Sequence, residues 1–133
     1  MTKKTYELTE AEWTIIEAIW ENEPCAAPTI QEVLEKEKGW SYSTVKTFMD
    51  RMVAKGLLST RRIRNLILYS AAITAEQAQK REVRRTLKRA FGGAFTPMMQ
   101  FMLDDNALSA RELGDLEVMI RRRRRRDKPD AKR

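Results

Sequence analysis

The hydrophobic period of the chain changes at Gly56, and that change restricts the available folds more than any other feature. Before it, apolar side chains recur every three or four residues. After it come two short runs, 57–62 and 66–70, rich in branched, aromatic and Thr residues and separated by Ile63-Arg64-Asn65. The first period belongs to amphipathic helices and the second to a β-hairpin. Asn65 is the residue of the break expected to take the left-handed backbone of the turn. The expected fold is therefore mainly α with one small hairpin.

Each helical segment before Gly56 carries its own start signal. Thr9-Glu10-Ala11-Glu12 has the spacing of a capping box, and Trp13, Ile16, Ile19 and Trp20 follow as one apolar stripe until residues 22–24 end the helix. Thr29-Ile30-Gln31-Glu32 reads as a second box, opening a short helix that buries Ile30, Val33 and Leu34 and stops near Gly39. Trp40-Ser41-Tyr42-Ser43 supplies polar caps for a third helix running to Lys55, with Gly56 as its left-handed stop. Val45, Met49, Met52 and Val53 form the core side of that helix. Thr44, Thr47 and Arg51 lie on another side, with Lys46 and Asp50 nearby. Three helices followed by a basic-tipped hairpin is the order of a winged helix-turn-helix.

Beyond the hairpin, Thr74-Ala75-Glu76-Gln77 opens a helix reaching about Phe91, with Val83, Leu87, Ala90 and Phe91 along one side and Gly92 and Gly93 as its stop. Thr96 and Pro97 form a cap and first-turn pair for the next segment, in which residues 98–103 are apolar almost all round. Ser109-Ala110-Arg111-Glu112 caps a last helix carrying Leu113, Leu116, Met119 and Ile120. Three short helices cannot bury such a girdle alone, and an apolar patch left in water aggregates. A second copy related by a two-fold axis is the expected cover. The candidate dimerisation residues are Leu87, Phe91, Phe95, Met98, Met99 and Phe101, continuing with Met102, Leu103, Leu113, Leu116 and Ile120. The expected organisation is a winged helix over 1–73, a three-helix dimerisation arm over 74–120, and a basic, frayed tail over 121–133.

Composition excludes several functions. The chain has no histidine, so a Ser-His-Asp site, a Cys-His site or a His-based zinc site cannot be built. No phosphate-binding glycine loop is present, and the carboxylates fall at helix starts, where capping accounts for them. Neither catalysis, a cofactor nor a metal is expected. The single cysteine, Cys25, cannot form an internal disulfide and reads as a small core residue. No apolar run approaches the roughly 18 residues of a membrane span, and no signal segment opens the chain, so a cytoplasmic location is expected.

The net charge of +7 is less informative than its distribution. Residues 121–133 hold nine Lys/Arg and two Asp, which accounts for all of it. Residues 1–38 carry four Lys/Arg against nine Glu, whereas residues 39–73 carry six against Asp50 alone. The phosphate-facing surface is expected on this second block. In a helix-turn-helix the second helix of the motif enters the major groove of DNA, its hydroxyls and cations meeting bases and phosphates. Here that is the third helix, and Ser41, Ser43, Thr44, Lys46, Thr47 and Arg51 are the candidate readers. Arg61, Arg62 and Arg64 would bring the hairpin to the backbone or an adjacent minor groove. Two other readings stay open: a nonspecific architectural DNA-binding protein driven by the arginine-rich tail, and a winged helix that contacts proteins.

Three stretches resemble a known family. Leu8-Thr9-Glu10-Ala11-Glu12-Trp13, the segment from Gly39 through Ser43-Thr44-Val45-Lys46-Thr47, and Asp50-Arg51-Met52-Val53-Ala54-Lys55-Gly56-Leu57 are similar to the penicillinase-repressor (BlaI/MecI/CopY) family of bacterial repressors. The similarity continues through Tyr69 and more loosely to Ile120. It implies a winged-helix reader, a helical dimerisation arm, a palindromic DNA operator and repression of nearby genes. In antibiotic-responsive members a membrane sensor-protease leads to cleavage of the arm beside a phenylalanine. The matching candidate cleavage site is Gln100 and Phe101, with Gln where Asn is usual. The paired cysteines of copper-responsive members have no counterpart, the hairpin turn has Arg64-Asn65 in place of glycine, and the arginines at 121–126 match nothing in the family pattern.

Overall fold

A computed structural model describes residues 7–105 and 108–128, which form two compact units, one ending at Arg85 and the other starting at Thr86. The first unit opens with α1 (Glu10–Asn22). Its start is the expected capping box: the Thr9 hydroxyl accepts from the Glu12 amide and the Glu12 carboxylate accepts from the Thr9 amide. Ile16 and Ile19 are buried as expected, joined by Ile15, while Trp13 and Trp20 are half-buried and meet edge to face with centroids 6.4 Å apart. The Trp20 indole also donates to the Ile73 carbonyl at 3.0 Å, tying α1 to the end of the hairpin.

α2 (Ala27–Lys38) corrects one expected start. Its N-cap is Ala26, with no side-chain hydrogen bond, and Pro28 falls in the first turn ahead of the expected Thr29 box. Proline fits the first turn because it lacks the amide that would be orphaned there, so the helix begins before Thr29. Ile30 and Leu34 are buried, whereas Val33 is left 46% exposed, contrary to expectation. Gly39 closes the helix at φ 63°. α3 (Tyr42–Ala54) follows after the short link, capped by Ser41, and Gly56 beyond its end takes φ 84°. Val45, Met49 and Met52 are fully buried, each contributing roughly 1.5–3 kcal/mol by leaving water.

Strands β1 (Leu58–Ile63) and β2 (Leu66–Ala71) pair antiparallel from Leu58 opposite Ala71 to Ile63 opposite Leu66. The turn is therefore Arg64-Asn65, tighter than the three-residue break expected. The residue with positive φ is Arg64, at 58°, and not Asn65. Cys25 and Tyr69 exchange two backbone hydrogen bonds at 3.1 and 2.7 Å, which clip the α1–α2 connection to β2. Cys25 is buried, as expected, and its thiol is pushed above the usual range by that burial and by Glu23.

α4 (Ala75–Phe91) starts at the expected box, Thr74 and Gln77 bonding each other's amides. Its first half belongs to the first unit: Ile73 and Ala78 are buried there, and Arg85 pairs with Glu7 at 3.4 Å. The division between the two compact units falls inside α4, between Arg85 and Thr86, with Ala78 packed in the core of the first.

In the second unit α4 ends at Gly92 and Gly93, both with positive φ. α5 (Phe95–Asp104) is capped by Ala94 without a side-chain bond, so the Thr96 cap expected is not used. α6 (Ala110–Asp127) has the expected Ser109–Glu112 capping box. It continues through the six arginines, correcting the expectation of a frayed run; residues 129–133 of the expected tail lie outside the described residues. Cations in a last turn favour the helix C-terminus, and Arg123 pairs with Asp127 one turn on. No residue of α5 or α6 is buried, and Phe95, Phe101, Leu103, Leu113, Val118, Met119 and Ile120 are exposed. Among the described residues no helix is long and apolar enough to cross a membrane.

Candidate nucleic-acid interface

The candidate readers surround the first two turns of α3. Ser41 is its N-cap, its hydroxyl accepting from the Thr44 amide at 3.2 Å and lying 3.1 Å from the hydroxyls of both Ser43 and Thr44. Ser41 is thus committed to the backbone, and it orders its two neighbours. Ser43, Thr47 and Arg51 are exposed, and with Thr44 and Phe48 they line one shallow hollow. This is the grouping the helical spacing implies. Two rows of short hydroxyls with a long cation at the end can donate to phosphates or base edges, and the Thr methyls can touch thymine.

Phe48 was not among the residues expected here. It packs against Trp40 with centroids 5.5 Å apart, and the Arg51 guanidinium lies 5.7 Å from its ring centroid. The ring steers Arg51, since a guanidinium is attracted to an aromatic face. The i, i+3 spacing of Phe48 and Arg51 was the available signal.

Lys46 is held differently. Its ammonium sits 2.7 Å from Asp50 one turn on, and the buried Tyr69 hydroxyl donates to the other oxygen of Asp50 at 2.9 Å. The hydrogen bond from Lys46 pulls the Asp50 carboxyl below the usual carboxylate range, although desolvation opposes it; the same bond pushes Lys46 up. Burial, reinforced by Asp50, raises Tyr69. The hairpin therefore sets the cation on α3 through one carboxylate. Lys46 also borders a second hollow with Pro28, Tyr42, Leu66, Ile67 and Tyr69.

The three hairpin arginines are all exposed but do not share one face. Arg62 stands opposite Ile67 and Arg61 opposite Leu68. Side chains alternate along a strand, so Arg62 is on the Tyr69 side and Arg61 on the other. Arg62 also donates to the Arg64 carbonyl at 3.0 Å, bracing the turn.

The whole of α3 is anchored from behind. Lys55 at its end reaches the buried Glu12 carboxylate at 2.7 Å and the Glu7 carbonyl at 3.0 Å. The last sequence-derived site, Gln100 and Phe101, lies within α5, where Gln100 donates to Asp104 and Phe101 is exposed.

The sequence matches the family model described as penicillinase repressor over residues 8–122. The methicillin resistance regulatory protein MecI of Staphylococcus aureus strain N315 is 23% identical over 123 residues, which cover 92% of this chain and 100% of that protein. The penicillinase repressor of Bacillus licheniformis is 23% identical over 126 residues, covering 95% and 98%. Among solved structures, a MarR family protein from Bacillus stearothermophilus superposes with a TM-score of 0.50 at 14% identity, over 91% of this chain and 76% of that one. That likeness is one of fold.

Proposed function

Because this chain belongs to the penicillinase repressor family, we propose that it represses transcription as a homodimer that reads a palindromic DNA operator, with α3 in the major groove and the hairpin arginines on the backbone. The family is one of DNA-binding regulators, not enzymes. The observation that carries the reading is the division of α3: Val45, Met49 and Met52 are wholly buried, while Ser43, Thr47 and Arg51 on the other side are exposed. A helix so divided can enter a groove without losing its own support.

The second unit supplies the reason for a dimer. Its exposed Phe, Leu, Val, Met and Ile side chains are too many for a stable monomer surface, and an isologous contact between two copies covers them. In this proposal the first unit reads DNA and the second dimerises, with recognition helices about 34–36 Å apart, or a multiple. Titrating the purified chain with DNA from upstream of its own gene tests the reading. Preference over a scrambled duplex at matched salt supports it; equal affinity for both defeats it.

Release by a membrane sensor-protease pathway, acting beside Phe101, is the proposed form of induction. Residues 100 and 101 are helical, so α5 must unwind locally before a protease can bind them in extended form. Intact-mass analysis of the repressor from induced cells checks it: a cut at this bond is expected, and an unbroken chain on derepression refutes it.

A further inference from the structure

We propose that the six arginines ending α6 form a second, sequence-independent contact to duplex DNA, in which the helix end lies between two rows of phosphates. The proposal rests on DNA being the partner, but not on base reading by α3. All six side chains are exposed. Asp127 engages Arg123 and Arg126. Arg121, Arg122, Arg124 and Arg125 have no ion-pair partner among the described residues.

Six consecutive residues of an α-helix, set about 100° apart at 3.6 per turn, point around its whole circumference. The charge is therefore a ring and not a stripe. Arg121 and Arg125, like Arg122 and Arg126, stand four residues apart, a spacing at which like charges oppose the helix. A polyanion would remove that opposition, and its shape has to match the ring. A helix lying on a membrane needs one apolar face, and residues 121–126 contain no apolar side chain. A flat anionic surface would meet only part of the ring. The major groove, about 12 Å wide with phosphates along both edges, admits an object of about 10–12 Å carrying cations on all sides. Guanidinium groups suit that partner, since their planar fork matches phosphate oxygens. Contacts to phosphate alone carry no base preference.

The test replaces Arg121, Arg122, Arg124 and Arg125 by Gln together, and in a second variant by Lys, in the full chain. Fluorescence anisotropy then measures binding to a scrambled duplex and to the DNA upstream of its own gene across a salt series. Each phosphate contact contributes about 0.9 to the slope of log affinity against log salt. The Gln variant should lose about 3.6 units of slope per protomer on both duplexes with its preference between them unchanged. The Lys variant should keep the parental slope. A Gln variant with an undiminished slope overturns the proposal. So does a Lys variant that falls as far as the Gln one, because charge is then not the cause. Binding of the parent chain to phosphatidylserine vesicles, abolished by Gln while DNA slopes stay unmoved, overturns it in favour of a lipid surface. Loss of operator preference in the parent chain is a separate outcome that sinks only the α3 reading.

Discussion

Replacing Lys55 by Met should unfasten α3 without touching its outward face. Glu12 is 2% exposed at its side chain, and its Oε1 atom accepts from both the Lys55 ammonium at 2.7 Å and the Thr9 amide at 3.0 Å. Removing one member of a buried pair strands the other charge, at about 3–5 kcal/mol. Lys55 retains 26% exposure, so water can partly replace it, and a loss of about 2–3 kcal/mol is expected. Trp13, Trp20 and Trp40, the only tryptophans, all belong to the first unit, so their fluorescence follows this unit alone. With a urea dependence of about 1–1.5 kcal/mol per molar for a unit of this size, the midpoint should fall by about 2 M at fixed protein concentration. Adding Glu12→Gln to Lys55→Met should restore part of the loss, because a neutral amide still accepts from Thr9 and no longer needs the ammonium. A Lys55→Met midpoint within about 0.5 M of the parent, or strictly additive losses in the double variant, would refute the argument that a buried charge holds α3.

Four further outcomes are expected. DNA affinity at fixed salt should stay flat between pH 6 and 8, since there is no histidine and Asp50 is shifted down while Lys46, Tyr69 and Cys25 are shifted up; a titration step in that window would contradict the site's ionic assignment. The depressed Asp50 carboxyl contributes stability that is present above its unfolded value and is lost as pH falls through its lower folded value, so the Lys46–Asp50 pair should break only below about pH 4, readable from the Asp50 carbonyl chemical shift. Arg64→Gly should stabilise the hairpin by up to about 1 kcal/mol, the left-handed penalty of roughly 1–2 kcal/mol being partly offset by glycine's freedom when unfolded; a lower urea midpoint would contradict the backbone reading. Phe101→Glu, at a position 65% exposed in the single chain, should leave the fold intact by circular dichroism but yield monomers in sedimentation, and an undisturbed dimer would remove α5 from the proposed interface.

What could be read from sequence was what neighbours in the chain decide. The boxes at Thr9, Thr74 and Ser109 and the cap at Ser41 are local exchanges between a side chain and an amide three residues away, and all four are present. Where two local signals compete, the caps give way: Pro28 places the start of α2 ahead of Thr29, and Phe95 enters α5 ahead of Thr96. Arg64 rather than Asn65 took the left-handed turn position because the register from Leu58 to Ile63 leaves only two residues for the turn. Contacts between distant residues left no sequence mark. Neither Tyr69 on Asp50 nor Lys55 on Glu12 follows from spacing, yet these two contacts orient and anchor α3. The arginine run is helical because the Arg123–Asp127 pair and the favourable helix end offset the self-repulsion that spacing alone implies.

The central claim is that α3 reads DNA by sequence, and Lys46→Ala with Arg51→Ala tests it most directly. Anisotropy titrations of the parent and the double variant, on the upstream duplex and on its scrambled counterpart at one salt concentration, give the discrimination ratio. The account predicts a large ratio for the parent and a clearly smaller one for the variant, with its urea midpoint nearly unchanged. A variant that discriminates as well as the parent would contradict it.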